Sequence, residues 1–278
     1  MATTDDDTGA RQDCRSVQTR LPCPVCAGLA HHAFHSRHVP VAQCVSASCG
    51  HLFAYGVPDD AGLQTHSVEH DSLQYENRNR RLVEYFVATD FLRADSRVLD
   101  VGAGAGHVSD AIRRRLPTST ITCVEGDPGS QVSLRARGYE CQASLDEWPY
   151  VFDAILLIEV IEHVPRPIEF LQQCAQKLAP GGRIFLTTPC GQTARGSRRT
   201  NAYETAEHVH FFTERSLRLA CDRSGLVLEG FRTLTRMYPR RTGWLGAADA
   251  AKHTLIGMRE RWVERRHLIG FVGARHAG

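Results

Sequence analysis

The sequence predicts an α/β fold: a doubly wound, mostly parallel sheet of seven strands with a small metal-binding unit in front of it. Three observations predict this. From Arg97 onward, short apolar runs alternate with amphipathic stretches of about ten residues, the pattern of βαβ units. The first of these runs ends in Asp100 and breaks into glycines at alternate positions, Gly102, Gly104 and Gly106. Four cysteines, Cys23, Cys26, Cys44 and Cys49, crowd together before that pattern begins.

Residues 1–20 are polar and acidic and predict a flexible N-terminus. Residues 21–57 hold the clustered cysteines and five histidines (His31, His32, His35, His38 and His51). Residues 58–76 carry Pro, Gly, Asp and Ser and predict a linker, so the main domain is expected over 77–278. Between Asn77 and Leu92 the apolar positions Leu82, Val83, Phe86, Val87 and Phe91 recur at helical spacing. Strands are then expected at Arg97–Val101, Thr120–Glu125, Tyr139–Gln142, Phe152–Ile158, Arg183–Thr187, Leu226–Leu234 and His267–Val272. Helices are expected at His107–Leu116, Gly129–Arg137, Pro167–Leu178, Thr213–Ser224 and 244–262, and the last two strands can pair antiparallel.

Composition excludes several classes. The chain has 278 residues, 42% of them hydrophobic and 23% charged, which rules out a disordered, collagen-like or coiled-coil protein. The longest apolar run, Ala154–Ile158, stops at Glu159, so no spanning helix is predicted. The acidic start lacks an apolar signal core, and the expected compartment is a reducing cytoplasm. A net charge of +2 demands no nucleic-acid partner. Cys123, Cys141, Cys174, Cys190 and Cys221 are single and read as small core thiols, and Cys14 lies in the polar tail.

The run Val98–His107 couples a strand, an acid and a glycine loop to a helix start. Glycines let a ligand approach the backbone, and the helix start presents free N–H groups. Two ligand classes use such a device. Dinucleotides take a G-x-G-x-x-G spacing, but here the third glycine comes one place early and His107 stands in its position. An acid at the strand end also suits a ligand bearing a cationic amine better than one bearing phosphates. The second strand ends in Glu125-Gly126-Asp127, placing a carboxylate where ribose hydroxyls are bound in a doubly wound sheet. After the third strand come Ser144 and Leu145, at the position that borders an adenine.

From about Tyr75 to its end the chain resembles the class I S-adenosylmethionine-dependent methyltransferases, of the group that includes the ubiquinone-pathway O-methyltransferases. The motifs that carry the resemblance are Val98–Gly106, Val124–Asp127, Phe152–Val164, Leu178–Thr188 and His208–Leu219. It implies a Rossmann-like methyltransferase fold with S-adenosylmethionine as cofactor. Asp100, Gly102, Ala103, Gly104 and Gly106 would hold the methionine moiety, Glu125 and Gly126 the ribose, and Ser144 and Leu145 the adenine. Ile158 and Glu159 would border the methyl-transfer zone. The acceptor implied is a small molecule. O-methylation in a secondary-metabolite or antibiotic pathway comes first, C-methylation of a nucleotide-activated sugar or ketone second. RNA methylation fits the near-neutral charge less well. From a different class, an inert fold whose cysteine unit grips a partner is a further alternative.

Glu159, Glu162 and His163 follow the fourth strand into a turn fixed by Pro165 and Pro167, and acids and imidazoles at that sheet edge lie where ligands bind. Three roles fit the run. Glu162 and His163 can pair and cap the turn. His163 can serve as general base toward a hydroxyl. Similar runs joined by a later histidine bind a divalent cation in the small-RNA 2′-O-methyltransferases, which here implies Glu159, Glu162, His163 and His208. Tyr203, Glu204 and the arginines Arg195, Arg198 and Arg199 read as a loop over the substrate.

Cys23-x2-Cys26 and Cys44-x4-Cys49 suit a closed, structural zinc site of four thiolates. The second pair is two residues wider than usual, and His51 could replace a cysteine. Zinc would supply much of the folding energy of so small a unit. The segment Met237–Arg266 combines apolar and arginine positions and suits a packed helix, a lid, a homodimer face or a membrane-surface helix.

Overall fold

The computed structural model describes residues 20–58, 72–192, 201–203, 206–234 and 267–274. Cys14, Glu204, the arginines at 195, 198 and 199 and the segment 237–266 lie outside the described residues.

Among the described residues the strands form two sheets. The larger has seven strands in the order β11-β12-β9-β8-β5-β6-β7. Its parallel part is β5 (Arg97–Val101), β6 (Thr120–Val124), β7 (Glu140–Gln142), β8 (Phe152–Ile158) and β9 (Leu178–Pro189). The edge is antiparallel: β12 (His267–Ala274) lies between β9 and β11 (Leu226–Leu234). Every strand expected from the sequence is present.

The centre of this sheet is apolar on both faces because helices cover both. Alternate residues of each strand divide between two cores. Val98, Ala154, Leu156 and Phe185 pack with α1 (Ser72–Ala88), α2 (His107–Arg115) and α3 (Pro128–Ala136). Leu99, Val101, Ile155 and Leu157 point the other way, toward α4 (Pro167–Gln176) and α5 (Glu214–Arg223). On the first face Phe86 stands edge-on to Phe185 at 4.7 Å between ring centres, and both are fully buried. Truncating either to Ala would cost about 3–5 kcal/mol.

The smaller sheet has five strands in the order β1-β2-β3-β4-β10. β1 (Leu21–Pro22), β2 (Leu29–His35), β3 (Pro40–Cys44) and β4 (Leu52–Ala54) come from the cysteine unit. The fifth strand, β10 (His210–Phe211), comes from far along the chain, with His210 opposite Phe53 and Phe211 opposite Leu52. The cysteine unit is therefore not closed on itself. Its residues Cys23, Val25, Cys44 and Cys49 share one continuous core with Leu171, Phe212 and Leu217.

Several boundaries differ from the sequence expectation, three of them with a visible physical cause. α1 begins at Ser72, inside the stretch expected as linker, and its polar first turns conceal the helix: Glu76 faces Arg114 of α2 at 3.9 Å. α4 ends at Gln176, two residues before the expected Leu178. Leu178 instead opens β9, which runs twelve residues, with a bulge against β8 where Gly182 lies too close to the Phe152 carbonyl for any side chain.

Candidate functional site

The carboxyl ends of β5, β6 and β8 meet at one crevice. The loop after β5 is pinned to the end of β6 by the amides of Gly102 and Ala103, which donate to the Val124 carbonyl at 2.8 and 3.2 Å. Gly102 takes φ +67°, and a Cβ there would stand 2.8 Å from Val160 Cγ2, so the loop abuts the segment leaving β8. Gly104 (φ +51°) and Gly126 face open space, as a backbone receiving a ligand must. Gly106 does not. It caps α2 at φ +70°, and a Cβ there would strike Leu134 and Arg137. Gly106, expected at the cofactor, packs closely against α3 and the residue that follows it.

Two carboxylates flank the loop. Asp100 is buried and accepts from Ser109 Oγ at 2.7 Å. Burial pushes its carboxyl up to about 6, and the Glu125 charge adds to the rise. A carboxylate in that state is stabilised by a cationic ligand, which fits the ammonium and sulfonium of S-adenosylmethionine. Glu125 is also buried. Its Oε2 accepts from Gly104 N at 2.6 Å and its Oε1 from Asp127 N at 2.8 Å. Each oxygen keeps one lone pair, enough for two ribose hydroxyls. At the expected adenine wall, Leu145 is buried, but the Ser144 amide already donates to Glu147 Oε1 at 3.1 Å. Ile158 is partly buried and packs on the first core.

The turn after β8 carries the second cluster. Glu159 adopts φ +57°, the left-handed region that side chains avoid, at the mouth of the crevice. Its Oε1 accepts from Thr187 Oγ1 at 2.8 Å, and its amide donates to Thr187 O at 3.1 Å. Glu162, His163 and His208 each bring a ligating atom within 4.8 Å of the other two. Glu159 stands outside that group, so the four-residue set implied by the sequence contracts to three.

Glu162 is 1% exposed, and no described residue hydrogen-bonds either carboxylate oxygen; the buried Thr188 hydroxyl acts on it only weakly. Burial first, and the Glu159 charge second, hold its carboxyl well above the ordinary range. His163 Nδ1 lies 3.1 Å from Glu207 O and His208 Nδ1 lies 2.8 Å from Ala202 O. With Nδ1–H donating in both, the two carbonyls fix the orientation of the rings. Burial lowers the His163 pKa and keeps the ring neutral. A buried acid beside two imidazoles oriented by carbonyls suits a divalent cation. Pairing of Glu162 with His163, as a mere turn cap, is not what the turn shows.

The four cysteines converge as expected. Their sulfurs all lie within 4.8 Å of one another, with Cys23–Cys49 at 3.8 Å and Cys26–Cys44 at 3.4 Å. Sulfurs bound tetrahedrally at 2.3 Å would be about 3.8 Å apart, so the spacing of these pairs suits an ion of zinc's size. The first knuckle turns at Ala27 (φ +59°), and Cys23 N donates to Gly28 O at 2.8 Å. The wider second pair closes through a turn at Ser46, whose carbonyl takes the amides of Cys49 and Gly50. The Cys49 thiol, donating to Cys23, holds that thiol near 5, while burial drives Cys44 up to about 11.

His51 is not a fourth ligand. It is fully buried, with Nε2 3.1 Å from His210 Nδ1, and His210 Nε2 reaches Pro165 O at 3.3 Å. Burial lowers both pKa values, His210 to about 4. Sequence reasoning missed this pair, whose two members are 159 residues apart. The only local signal is that each is a histidine beside aromatic residues, Phe53 and Phe212. Tyr203, expected in a covering loop, is buried instead; its hydroxyl donates to Gly191 O at 2.9 Å, and its ring lies 4.4 Å from Phe211. Cys123, Cys141, Cys174, Cys190 and Cys221 are all buried.

Comparison with known proteins agrees with this geometry. A family model described as a methyltransferase domain matches residues 72–229. The ubiquinone biosynthesis O-methyltransferase of Xanthomonas euvesicatoria is 34% identical over 116 residues, 37% of this chain and 47% of that protein. Its namesake in Xylella fastidiosa is 36% identical over 104 residues, 34% and 42% of the two chains. The chain thus spans about half the length of the curated relatives it matches. Among solved structures, coclaurine N-methyltransferase bound to N-methylheliamine and SAH aligns with a TM-score of 0.51 at 16% identity, over 69% of this chain and 72% of that one. The cyclase SpnF aligns equally well, with a TM-score of 0.51 at 16% identity, over 69% and 79%. These likenesses concern the fold alone. With the family model matched over more than half its length, on a seven-stranded sheet whose glycine crevice suits a cationic nucleoside, the chain belongs to the methyltransferase domain family.

Proposed function

We propose that the protein moves the methyl group of S-adenosylmethionine onto an oxygen of a small-molecule acceptor, with a divalent cation held by Glu162, His163 and His208 on the acceptor side. The observation that carries the reading is the buried Glu162 carboxyl, which lacks a donor among the described residues and lies beside two imidazoles turned by carbonyls. S-adenosylmethionine supplies a methyl group on a positive sulfur, and a bound cation supplies Lewis acidity toward a hydroxyl. The chain supplies the rest. Asp100 and the open backbone at Gly104 face the cationic end of the cofactor, Glu125 takes the ribose, and Glu159, held by Thr187, shapes the wall between cofactor and acceptor. Positioning of the two reactants in one crevice supplies most of the acceleration. The name of the Xanthomonas relative favours oxygen as the acceptor atom. The neutral His163 ring, oriented through Nδ1 by the Glu207 carbonyl, also supports proton removal from an acceptor hydroxyl without a cation.

The test is release of S-adenosylhomocysteine from a panel of hydroxylated small molecules, with Mg2+ or Mn2+ titrated into wild type and Glu162→Gln. Turnover that rises with the cation in wild type and not in the variant supports the cation reading. Turnover indifferent to both cations but lost in His163→Ala favours the general base. Failure of calorimetry to detect S-adenosylhomocysteine binding overturns both.

A further inference from the structure

The cysteine unit and the Glu162 turn are bound to one short segment, Glu207–His210. On one side, Val209 N donates to Glu162 O at 2.9 Å, Glu207 O lies 3.1 Å from His163 Nδ1, and His210 Nε2 lies 3.3 Å from Pro165 O. These contacts suspend the whole turn from Glu162 to Pro165. On the other side, His210 and Phe211 pair with β4, and Ala54 N donates to Val209 O at 2.9 Å. β4 begins three residues after Cys49.

His51 sits between the sulfur site and that strand. Its Nε2 is 3.1 Å from His210 Nδ1. The Pro165 carbonyl can only accept, so His210 Nε2 carries the proton and His210 Nδ1 must accept. His51 Nε2–H is then the donor. A directed chain runs from His51 through His210 to Pro165. Stacking on Phe53 (11° between planes) and contact with Phe212 fix the His51 ring. Two arginines of α5 hold the knuckles from behind: Arg215 donates to Ala47 O, and Arg223 to Cys26 O at 3.2 Å.

We propose that His51 and His210 are positioning residues that transmit the geometry of the four-cysteine site to the turn carrying Glu162 and His163. The inference rests on the reading of that turn as the acceptor-side site, and the strength of the connection is testable apart from it. Neither histidine touches the crevice. They act through the Pro165 carbonyl and the β4–β10 pair, so that an intact sulfur site holds Glu162, His163 and His208 in register.

The experiment compares full-length wild type, His51→Phe and His51→Gln by hydrogen exchange of the segments 160–166 and 206–212. Zinc content, S-adenosylhomocysteine affinity and Mn2+ affinity by paramagnetic resonance are measured on the same samples. His51→Phe keeps the aromatic packing and removes the donor, whereas Gln restores an Nε2 donor. The expected result is at least roughly ten-fold faster exchange of both segments in His51→Phe, recovered in His51→Gln, with zinc content and S-adenosylhomocysteine affinity unchanged. Mn2+ affinity is expected to fall by roughly ten-fold or more, as for lost partners of metal ligands. Wild-type exchange in His51→Phe overturns the proposal. If exchange quickens as expected but wild type binds no Mn2+, the positioning role stands and the cation reading falls. If His51→Phe loses zinc or fails to fold, His210→Leu decides by the same criterion at segment 160–166, because it removes the Pro165 bond directly.

Discussion

Glu125 and Gly104 are joined across the crevice: the loop amide donates to the β6 carboxylate at 2.6 Å. One side chain thus shapes the glycine loop and remains able to receive a ribose. Glu125→Ala is expected to leave two backbone N–H groups without acceptors, costing about 1–3 kcal/mol of stability. Affinity for S-adenosylhomocysteine should fall at least ten-fold, because a charged acceptor of two hydroxyls is lost. Glu125→Gln, with one acceptor oxygen, should lie between. Urea denaturation and calorimetry on the three proteins check the order.

The buried Asp100 predicts an unusual pH dependence. Folding raises its carboxyl from the ordinary 3.8 to about 6. Between these values the folded chain keeps a proton that the unfolded chain releases, so this group's contribution turns against folding as pH rises and is fully adverse above about pH 6. The full effect is roughly 3 kcal/mol. Asp100→Asn should match wild type near pH 4 and exceed its stability at pH 7 without cofactor. The same charge is what a sulfonium and ammonium ligand seeks. Affinity for S-adenosylmethionine should rise from pH 5 to 7 in wild type and be weak and flat in the variant.

Glu162 sets stability against activity in the same way. Its carboxyl is desolvated and lacks a donor among the described residues. Glu162→Leu should stabilise the metal-free chain at pH 8 by about 1–3 kcal/mol while abolishing turnover. Thermal denaturation with and without Mn2+ is the check: the cation should raise the midpoint of wild type and leave the variant unmoved.

The glycines of the loop should separate by substitution. Gly102→Ala places a Cβ 2.8 Å from Val160 at φ +67° and should cost about 2 kcal/mol or more. Gly104→Ala meets no neighbour, so its stability loss should stay near 1 kcal/mol. Its methyl would project into the space left for the cofactor, and S-adenosylhomocysteine affinity should fall far more than stability does. Gly106→Ala should do the reverse, since it faces Leu134 and Arg137.

The central strands were legible because they are short apolar runs, and alternation between the two cores keeps those runs nearly continuous. The crevice acids were legible because they end strands. The Glu162–His163–His208 group was legible as a resemblance, but the exclusion of Glu159 was not, since it depends on a left-handed φ and on Thr187, 28 residues away. β10 escaped because two residues carry no periodicity. The start of α1 escaped because its first turns are polar and its partner Arg114 lies in another helix. The His51–His210 bond escaped because nothing local distinguishes a histidine with a distant partner from one poised to bind metal.

The pairing of β4 with β10 also orders events during synthesis. β4 is complete at Ala54, but its neighbour begins at His210. Roughly 150 residues must leave the ribosome in between, a delay of about 8–30 s at ordinary elongation rates. Throughout that interval the four thiols lack the cover that Phe212 and Leu217 later give them. An early-loaded ion would guard them against oxidation and mispairing until the rest of the chain arrives to cover them.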